Sequence, residues 1–293
     1  MTRPDRRLFL AGCLLMLGAQ TVSGKVLDAL GRPVDARPEG RILSLGPDIT
    51  EIIAALGAGD RIVARDRAST WPAQMAALPS VGPRRRLSPE GVMSVQADLI
   101  IAAEDIGPPE VLEFLRHQPI PLVLVPRDFS LDGIVTKIAI IAAALDRQGE
   151  GRDLSARIAA EYRAAEARSR DIPDDARRRA VLFHGLASFS AAGSDTAAGE
   201  ILRAAGARNI FADHSGYLSA SPELILERDP QVVVLMPDGK GGPTSEHVFA
   251  IPAFAGTEAA RTGGLVVLDD NLMIGFGPRT AAQIGKLARL LYP

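Results

Sequence analysis

Residues 41–57 read Arg-Ile-Leu-Ser-Leu-Gly-Pro-Asp-Ile-Thr-Glu-Ile-Ile-Ala-Ala-Leu-Gly. A short apolar run comes first, and it stops at a Gly-Pro dipeptide, which predicts a strand followed by a turn. The next apolar residues recur at helical spacing. Asp48 or Thr50 is predicted to cap this helix and Gly57 to end it. The stretch therefore predicts a strand–turn–helix unit.

Further strands are predicted along the chain. Residues 98–103 and 122–125 are apolar runs without polar alternation, as in parallel strands that are covered on both faces. Strands that alternate with helices are typical of an α/β layer with short crossovers. We therefore predict the α/β class, with an N-terminal α/β lobe at residues 40–128.

The same pattern occurs a second time. Residues 50–58 have a counterpart at 199–207, and the segment that starts at Leu87 is echoed by the segment that starts at Ser221. The copies keep their order and lie too far apart for a solenoid period, which favours two related lobes. We predict a second Rossmann-like α/β lobe at residues 151–293, with a ligand cleft between the lobes.

One long α-helix is predicted to join the lobes. Ser130 is expected to cap a helix from Leu131 to Asp146, in which isoleucines recur at helical spacing. We place the connecting helix at residues 129–150. A second helix, with one charged face, is predicted at 152–170.

The N-terminus resembles an export signal. Arg6 and Arg7 precede a short apolar run that ends in small residues, as in a twin-arginine signal. We predict a signal peptide at residues 1–24, cleaved on export to the periplasm. Cleavage would remove Cys13, the only cysteine, so no disulfide or zinc–thiolate site is expected. No later apolar run reaches the length of a membrane span, so we expect a soluble protein.

Composition and motifs favour binding over catalysis. A net charge of −2 argues against nucleic acid as a partner, because phosphate neutralisation needs a basic surface. The sequence contains no Gly-x-Ser-x-Gly elbow and no Walker loop, and its four histidines lack metal-ligand spacing. We expect no enzymatic activity. The alternative is an exported hydrolase, or a metal-dependent oxidoreductase that uses His184 and neighbouring acids.

Several motifs resemble those of one known family over residues 40–293. The chain is similar to the helix-linked periplasmic binding proteins that serve ABC importers of cobalamin, siderophores and haem, with most likeness to the haem-binding members. The motifs are Arg-Ile-Leu-Ser-Leu-Gly from Arg41, Arg-Asp-Arg-Ala-Ser-Thr from Arg65, Leu-Ser-Pro-Glu-Gly-Val from Leu87, Thr-Ala-Ala-Gly-Glu from Thr196, and Asp-Asn-Leu-Met-Ile-Gly-Phe-Gly-Pro-Arg-Thr from Asp270.

The resemblance implies a transport function. Haem (hemin) or a related tetrapyrrole would be the transported ligand rather than a prosthetic group. The protein would deliver it to a permease dimer with its cytoplasmic ATPase, and we expect the binding protein itself to be a monomer. An iron–siderophore or a corrinoid is the alternative ligand within the same family.

One departure concerns the metal. The resemblance implies a tyrosine at position 71, whose phenolate would coordinate ferric iron, but the chain has Trp71. An indole can stack on a porphyrin but cannot coordinate iron. Either His184 or Tyr217 supplies a ligand from the second lobe, or the bound molecule needs no such coordination. The alternatives are an ordinary core tryptophan, a loop histidine and a surface tyrosine.

Three arginines are candidates for binding ligand carboxylates. The resemblance places the neighbourhood of Arg84 and Arg86 at the cleft, where guanidinium forks would pair with haem propionates. The simpler interpretation is a solvated cationic loop. Arg279 precedes the predicted C-terminal helix, where a cation is unfavourable, so a partner is expected. The resemblance would place that partner at position 71, where the phenolate is missing.

Glu90 and Glu223 occupy equivalent places in the two repeats, each directly after a Ser-Pro pair. In the resembled family such acids lie on the exposed top of each lobe and pair with permease arginines. The alternative is that each acid complements the dipole of its own helix.

Overall fold

The computed structural model describes residues 21–22, 25–184, 186, 189–236, 243–268 and 275–292. The predicted signal peptide at 1–24 lies outside these residues, apart from a two-residue strand. The strands are β1 (Thr21–Val22), β2 (Lys25–Leu27), β3 (Pro33–Val34), β4 (Ile42–Leu45), β5 (Ile62–Arg65), β6 (Leu99–Ala103), β7 (Leu122–Val125), β8 (Arg179–His184), β9 (Ser190–Ala192), β10 (Arg208–Asn209), β11 (Tyr217–Ser219), β12 (Val232–Met236) and β13 (Leu265–Val267).

The helices alternate with most of these strands. They are α1 (Pro47–Ala55), α2 (Pro89–Ser94), α3 (Pro109–Arg116), α4 (Leu131–Ala144), α5 (Gln148–Arg170), α6 (Ala197–Ala204), α7 (Pro222–Arg228), α8 (Ser245–Phe249), α9 (Pro252–Ala255), α10 (Glu258–Thr262) and α11 (Thr280–Leu291). In the part of the chain that the structure describes, no helix has the length and apolar content needed to cross a membrane.

The first lobe is built on a parallel sheet in the order β5-β4-β6-β7. Every residue of β4, β6 and β7 is buried, because helices or loops cover both faces of the sheet. The predicted strands at 41–45, 98–103 and 122–125 are confirmed to within a residue.

The predicted cap of the first helix is wrong. Helix α1 begins at Pro47, and no side chain caps it, so Asp48 and Thr50 lie inside the helix. Proline suits this first position because it has no N–H to leave unsatisfied. The Thr50 hydroxyl instead lies 2.7 Å from that of Ser44 in β4. The Thr50 side chain is therefore used in a tertiary contact with β4 and not as a helix cap.

The second lobe has a mixed sheet in the order β11-β9-β8-β12-β13, with β10 beside β8. Strands β8, β12, β13 and β10 run parallel, whereas β9 is antiparallel to β8 and β11 is antiparallel to β9. β12 is a fully buried Val-Val-Val-Leu-Met run. The molecule thus has two Rossmann-like α/β lobes.

Two helices occupy the segment between the sheets. The Ser130 hydroxyl caps α4 as predicted, by accepting a hydrogen bond from the backbone N–H of Gly133. α4 packs on α1 and β7 of the first lobe, while the 23-residue α5 packs on both α4 and α11. The long helix that joins the lobes is therefore α5, and the connection predicted at 129–150 covers α4 and the start of α5.

Candidate functional site

The parallel strands of the first lobe end at one edge of the sheet. The chain leaves β5, β6 and β7 at that edge, and the segments that follow carry Trp71, Arg84, Asp105 and Arg127. At the equivalent edge of the second sheet, β8 ends at His184. Loops at the carboxyl ends of strands are where α/β folds place their ligands.

An arginine cluster, which we define as Arg84, Arg85 and Arg127 around Asp105, lies on the first lobe. Arg84 binds both carboxylate oxygens of Asp105, at 2.7 and 3.2 Å. Arg85 reaches the same carboxylate at 2.6 Å, and Arg127 lies 3.6 Å from it. Asp105 is thus shared by three guanidinium groups, and Asp195 is a second carboxylate for Arg127, so two carboxylates face three arginines and one positive charge is in excess.

Arg127 also links the two lobes. It donates two hydrogen bonds to Asp195, to a carboxylate oxygen at 2.9 Å and to the backbone carbonyl at 2.7 Å. Its guanidinium lies 4.7 Å from the centroid of the Phe129 ring. Asp195 precedes α6 and has a positive φ of 54°, a left-handed conformation that aspartate tolerates better than most residues.

Tyr217 of the second lobe lies within the electrostatic range of the arginine cluster. Partial burial raises the pKa of its phenol, and the charges of Arg127, Arg85 and Arg84 oppose that rise. The side chain is still 44% exposed. A neutral phenol is therefore held across from a cationic surface, where it can donate a hydrogen bond to an anion.

The partner of Arg279 is a second point of contact between the lobes. Arg279 lies directly before α11 and forms a 2.5 Å ion pair with Glu51 of α1. Its guanidinium also stacks on Trp71, 4.6 Å from the centroid of the ring. Burial raises the pKa of Glu51, and the hydrogen bond and charge of Arg279 oppose this rise. The replacement of a phenolate by Trp71 has therefore not left Arg279 without a partner.

A lysine makes a third contact close by. Lys137 of α4 donates to Asp48 of α1 at 2.7 Å and to the backbone carbonyl of Phe276 at 3.0 Å. A Cβ at Gly277 would lie only 2.9 Å from the Cβ of Asp48, so this close approach requires glycine. Residues 275–277 of the last family motif thus lie against the start of α1, and residues 270–274 of that motif fall outside the described residues.

Other predicted ligand-binding residues have fewer contacts. His184 and Arg86 are exposed, and no side-chain hydrogen bond or ion pair is found for either within the described ranges. The described residues contain no group of three or more His, Cys, Asp or Glu side chains able to hold a metal ion.

A cavity of about 1060 Å³ lies beside these contacts. Its lining comes from both lobes and includes Arg127, Phe129, Asp195 and Arg203. None of the six predicted ligand-binding residues lines it. Arg127, with its partners Asp195 and Phe129, is the part that this cavity shares with the site described above.

Glu90 and Glu223 lie in matching environments. Each is the second residue of a short helix, α2 or α7, whose N-cap serine hydroxyl accepts a backbone N–H. Both glutamates are exposed. The pKa of Glu223 is lowered by hydrogen bonds from its own backbone N–H and from the Ser221 hydroxyl.

The sequence did not identify five charged residues that connect the two lobes or pair with an arginine of the site. They are Asp48, Glu51, Asp105, Lys137 and Asp195. One usable signal existed, because Asp105 closely follows a buried strand, the position at which site residues collect. Nothing local marks the other four as members of ion pairs.

Comparison with known proteins places this geometry in context. Three solved structures superpose well: the periplasmic heme-binding protein RhuT from Roseiflexus sp. RS-1 (35% identity, TM-score 0.78, 86% of this chain and 97% of that one), BhuT in complex with two hemes (30%, 0.78, 86% and 97%), and a periplasmic heme-binding protein from Pseudomonas aeruginosa (28%, 0.78, 86% and 92%).

Two proteins that are similar to this chain in sequence are named for a different ligand, cobalamin (vitamin B12). A cobalamin-binding protein of Halobacterium salinarum is 28% identical over 273 residues, which cover 88% of this chain and 71% of that protein. A vitamin B12-binding protein of Vibrio campbellii is 28% identical over 200 residues, with 67% and 70% covered. Residues 42–272 match the family model described as periplasmic binding protein. With two α/β lobes, a long joining helix and a match over most of its length, this chain belongs to the periplasmic binding protein family.

Proposed function

We propose that this protein captures haem or a related tetrapyrrole between its lobes and delivers it to the permease of an ABC importer. The observation that carries the proposal is the arginine cluster, where three guanidinium groups share Asp105 on the face opposite Tyr217. Such a surface attracts ligand carboxylates, and bidentate arginine pairs are the strongest way to hold them. Haem carries two carboxylates on one edge of a flat ring.

A corrinoid is the second candidate ligand. The cobalamin- and vitamin B12-binding relatives favour it, and so does the chemistry of Trp71, because an indole supplies no metal ligand. A corrinoid can carry both of its axial ligands with it. The two propionates favour haem as the ligand of the arginine cluster, since a cobalamin presents amides at its ring edge and carries its one anionic group, a phosphodiester, in its nucleotide loop.

The remaining parts of the proposal concern location and delivery. We propose an exported, periplasmic, monomeric protein that binds its ligand without turnover. Glu90 and Glu223 would contact arginines of a two-fold permease, because equivalent positions on two related lobes suit a symmetric partner. The exposure of both glutamates and their matching helix starts support this role.

Titration of the purified protein with hemin and with cyanocobalamin tests the ligand. We expect hemin to saturate with a shifted Soret band and cyanocobalamin to show no binding. The hemin spectrum should lack a phenolate-to-iron charge-transfer band, since Trp71 replaces the phenolate. Binding of cyanocobalamin alone would overturn haem as the ligand. A charge-transfer band that survives Tyr217→Phe would contradict the expected iron environment.

A further inference from the structure

The exposed indole of Trp71 rests on a preassembled support. One face of the ring is covered by the guanidinium of Arg279, which Glu51 holds at 2.5 Å. Trp71 itself remains 45% exposed, whereas Glu51 is only 8% exposed. The three residues come from a loop of the first lobe, from helix α1 and from the start of α11. The ring of the first-lobe tryptophan is therefore supported by a second-lobe arginine, which a first-lobe glutamate holds in place.

This geometry changes the role that can be assigned to Arg279. Its charge is already matched by the buried Glu51 carboxylate and by the π face of Trp71. Pairing the guanidinium with a ligand carboxylate would take it away from a buried acid, which is costly. Arg279 is thus placed to support the indole, and the arginine cluster is the better receptor for anions.

We propose, on the basis of the proposed function, that Trp71 is a specificity-determining residue that binds a flat aromatic macrocycle through its open face and independently of the central metal. The indole has no lone pair to offer a metal, so its contribution comes from stacking and from burial of apolar surface. Both depend on the shape and π system of the ring. Neither requires iron.

The supporting cation also selects the kind of ring. A guanidinium beneath the indole draws electron density toward itself, and the open face then becomes a weaker receptor for another cation. That face favours an electron-rich planar system, which a porphyrin provides. A corrin is puckered and carries substituents on both faces, so it offers less flat area for stacking. The structure therefore assigns Trp71 to the recognition of porphyrins.

The test compares hemin with metal-free protoporphyrin IX, with affinities taken from Soret absorbance. We expect Trp71→Ala to weaken both ligands by the same factor, about tenfold, and Trp71→Phe to stay within about threefold of wild type. Trp71→Tyr adds a phenol and should strengthen hemin relative to the metal-free ring. Glu51→Gln, which loosens Arg279, should weaken both ligands equally and less than Trp71→Ala. Trp71 is the only tryptophan, so quenching of its fluorescence gives a second readout of porphyrin binding in wild type.

The outcomes separate this inference from the proposed function. Equal losses for both porphyrins support the inference. A loss at least tenfold larger for hemin than for the metal-free ring, or no loss in Trp71→Ala, overturns it while haem binding stands. Failure of wild type to bind either porphyrin overturns both. Trp71→Phe keeps an aromatic ring and provides the comparison if Trp71→Ala alters the fold, which circular dichroism would report.

Discussion

The ammonium group of Lys137 lies 2.7 Å from a carboxylate oxygen of Asp48, and the lysine side chain is only 2% exposed. The same nitrogen donates to the carbonyl of Phe276, across from the first lobe to the second. A buried ammonium is tolerated only where a countercharge and further acceptors satisfy it. Lys137 therefore connects α4 to α1 and to the segment that precedes α11.

Lys137→Ala is expected to destabilise the fold by about 3 kcal/mol, because it leaves a poorly solvated carboxylate without its partner. Urea unfolding measures the change. Arg157→Ala, which breaks the exposed pair with Glu161 on α5, is the control and should cost less than about 1 kcal/mol. Equal losses of unfolding free energy in the two variants would show that the Lys137–Asp48 pair stabilises the fold no more than an exposed ion pair does.

Glu51 should give the protein a pH-dependent stability of a defined sign. Burial raises its pKa above the ordinary value of 4.5, so the folded state binds the proton more tightly than the unfolded state. Its contribution is complete below about pH 4.5 and is lost as the pH rises through the folded-state pKa. The stability of wild type relative to Glu51→Gln is therefore expected to fall over this window, as measured by urea unfolding at several pH values.

Glu258 provides a comparison with the opposite slope. A hydrogen bond from Gln231 lowers the pKa of Glu258, with a smaller contribution from Arg179. The stability of wild type relative to Glu258→Gln should therefore be lost as the pH falls through the folded-state pKa. If the stability of wild type relative to Glu51→Gln were also lost as the pH falls, the attraction between Arg279 and the Glu51 carboxylate would have a larger effect on the pKa of Glu51 than its burial.

Asp105→Asn is expected to tighten hemin binding, by about threefold, because it removes the carboxylate that three arginines now share. Arg86→Ala should weaken hemin binding by about 1.5–3 kcal/mol for each charged hydrogen bond lost. Arg116→Ala, at the far end of α3, is the control and should leave the affinity unchanged. Hemin affinity that falls in Asp105→Asn would show that Asp105 itself faces the ligand.

Reversal of both Glu90 and Glu223 to lysine should abolish uptake through the cognate permease and leave ligand affinity intact. Exposed ion pairs are worth at most about 1 kcal/mol, so either single substitution should only reduce uptake. Like charges brought together at a docking surface exclude the partner. Uptake is measured in cells that carry the permease, alongside hemin titration of the purified variant.

The control for docking is the double reversal of Glu113 and Glu161, two exposed acids on α3 and α5 that change the net charge equally. This variant should transport normally. Normal uptake by the Glu90 and Glu223 variant would show that neither acid contacts the permease and that each only complements the dipole of its own helix. Lost ligand affinity in that variant would place them in the cleft.

The sequence alone determined the local elements and their repetition. Buried strands such as β6 and β12 are continuous apolar runs, and Ser130 caps its helix as predicted. These features depend on residues that are near neighbours in the chain, so their pattern can be read directly. The repeated order of the same elements predicted two lobes for the same reason.

Only the tertiary structure decided how the charged side chains are matched. Arg279 pairs with Glu51, Lys137 with Asp48, and Arg127 with Asp195, each across 68 to 228 positions of sequence. A long cationic side chain reaches several carboxylates once the lobes pack, and the choice depends on burial and distance after folding. Asp48 shows the difference: its place after a strand predicted a helix cap, but the approach of α4 made it the partner of a buried lysine.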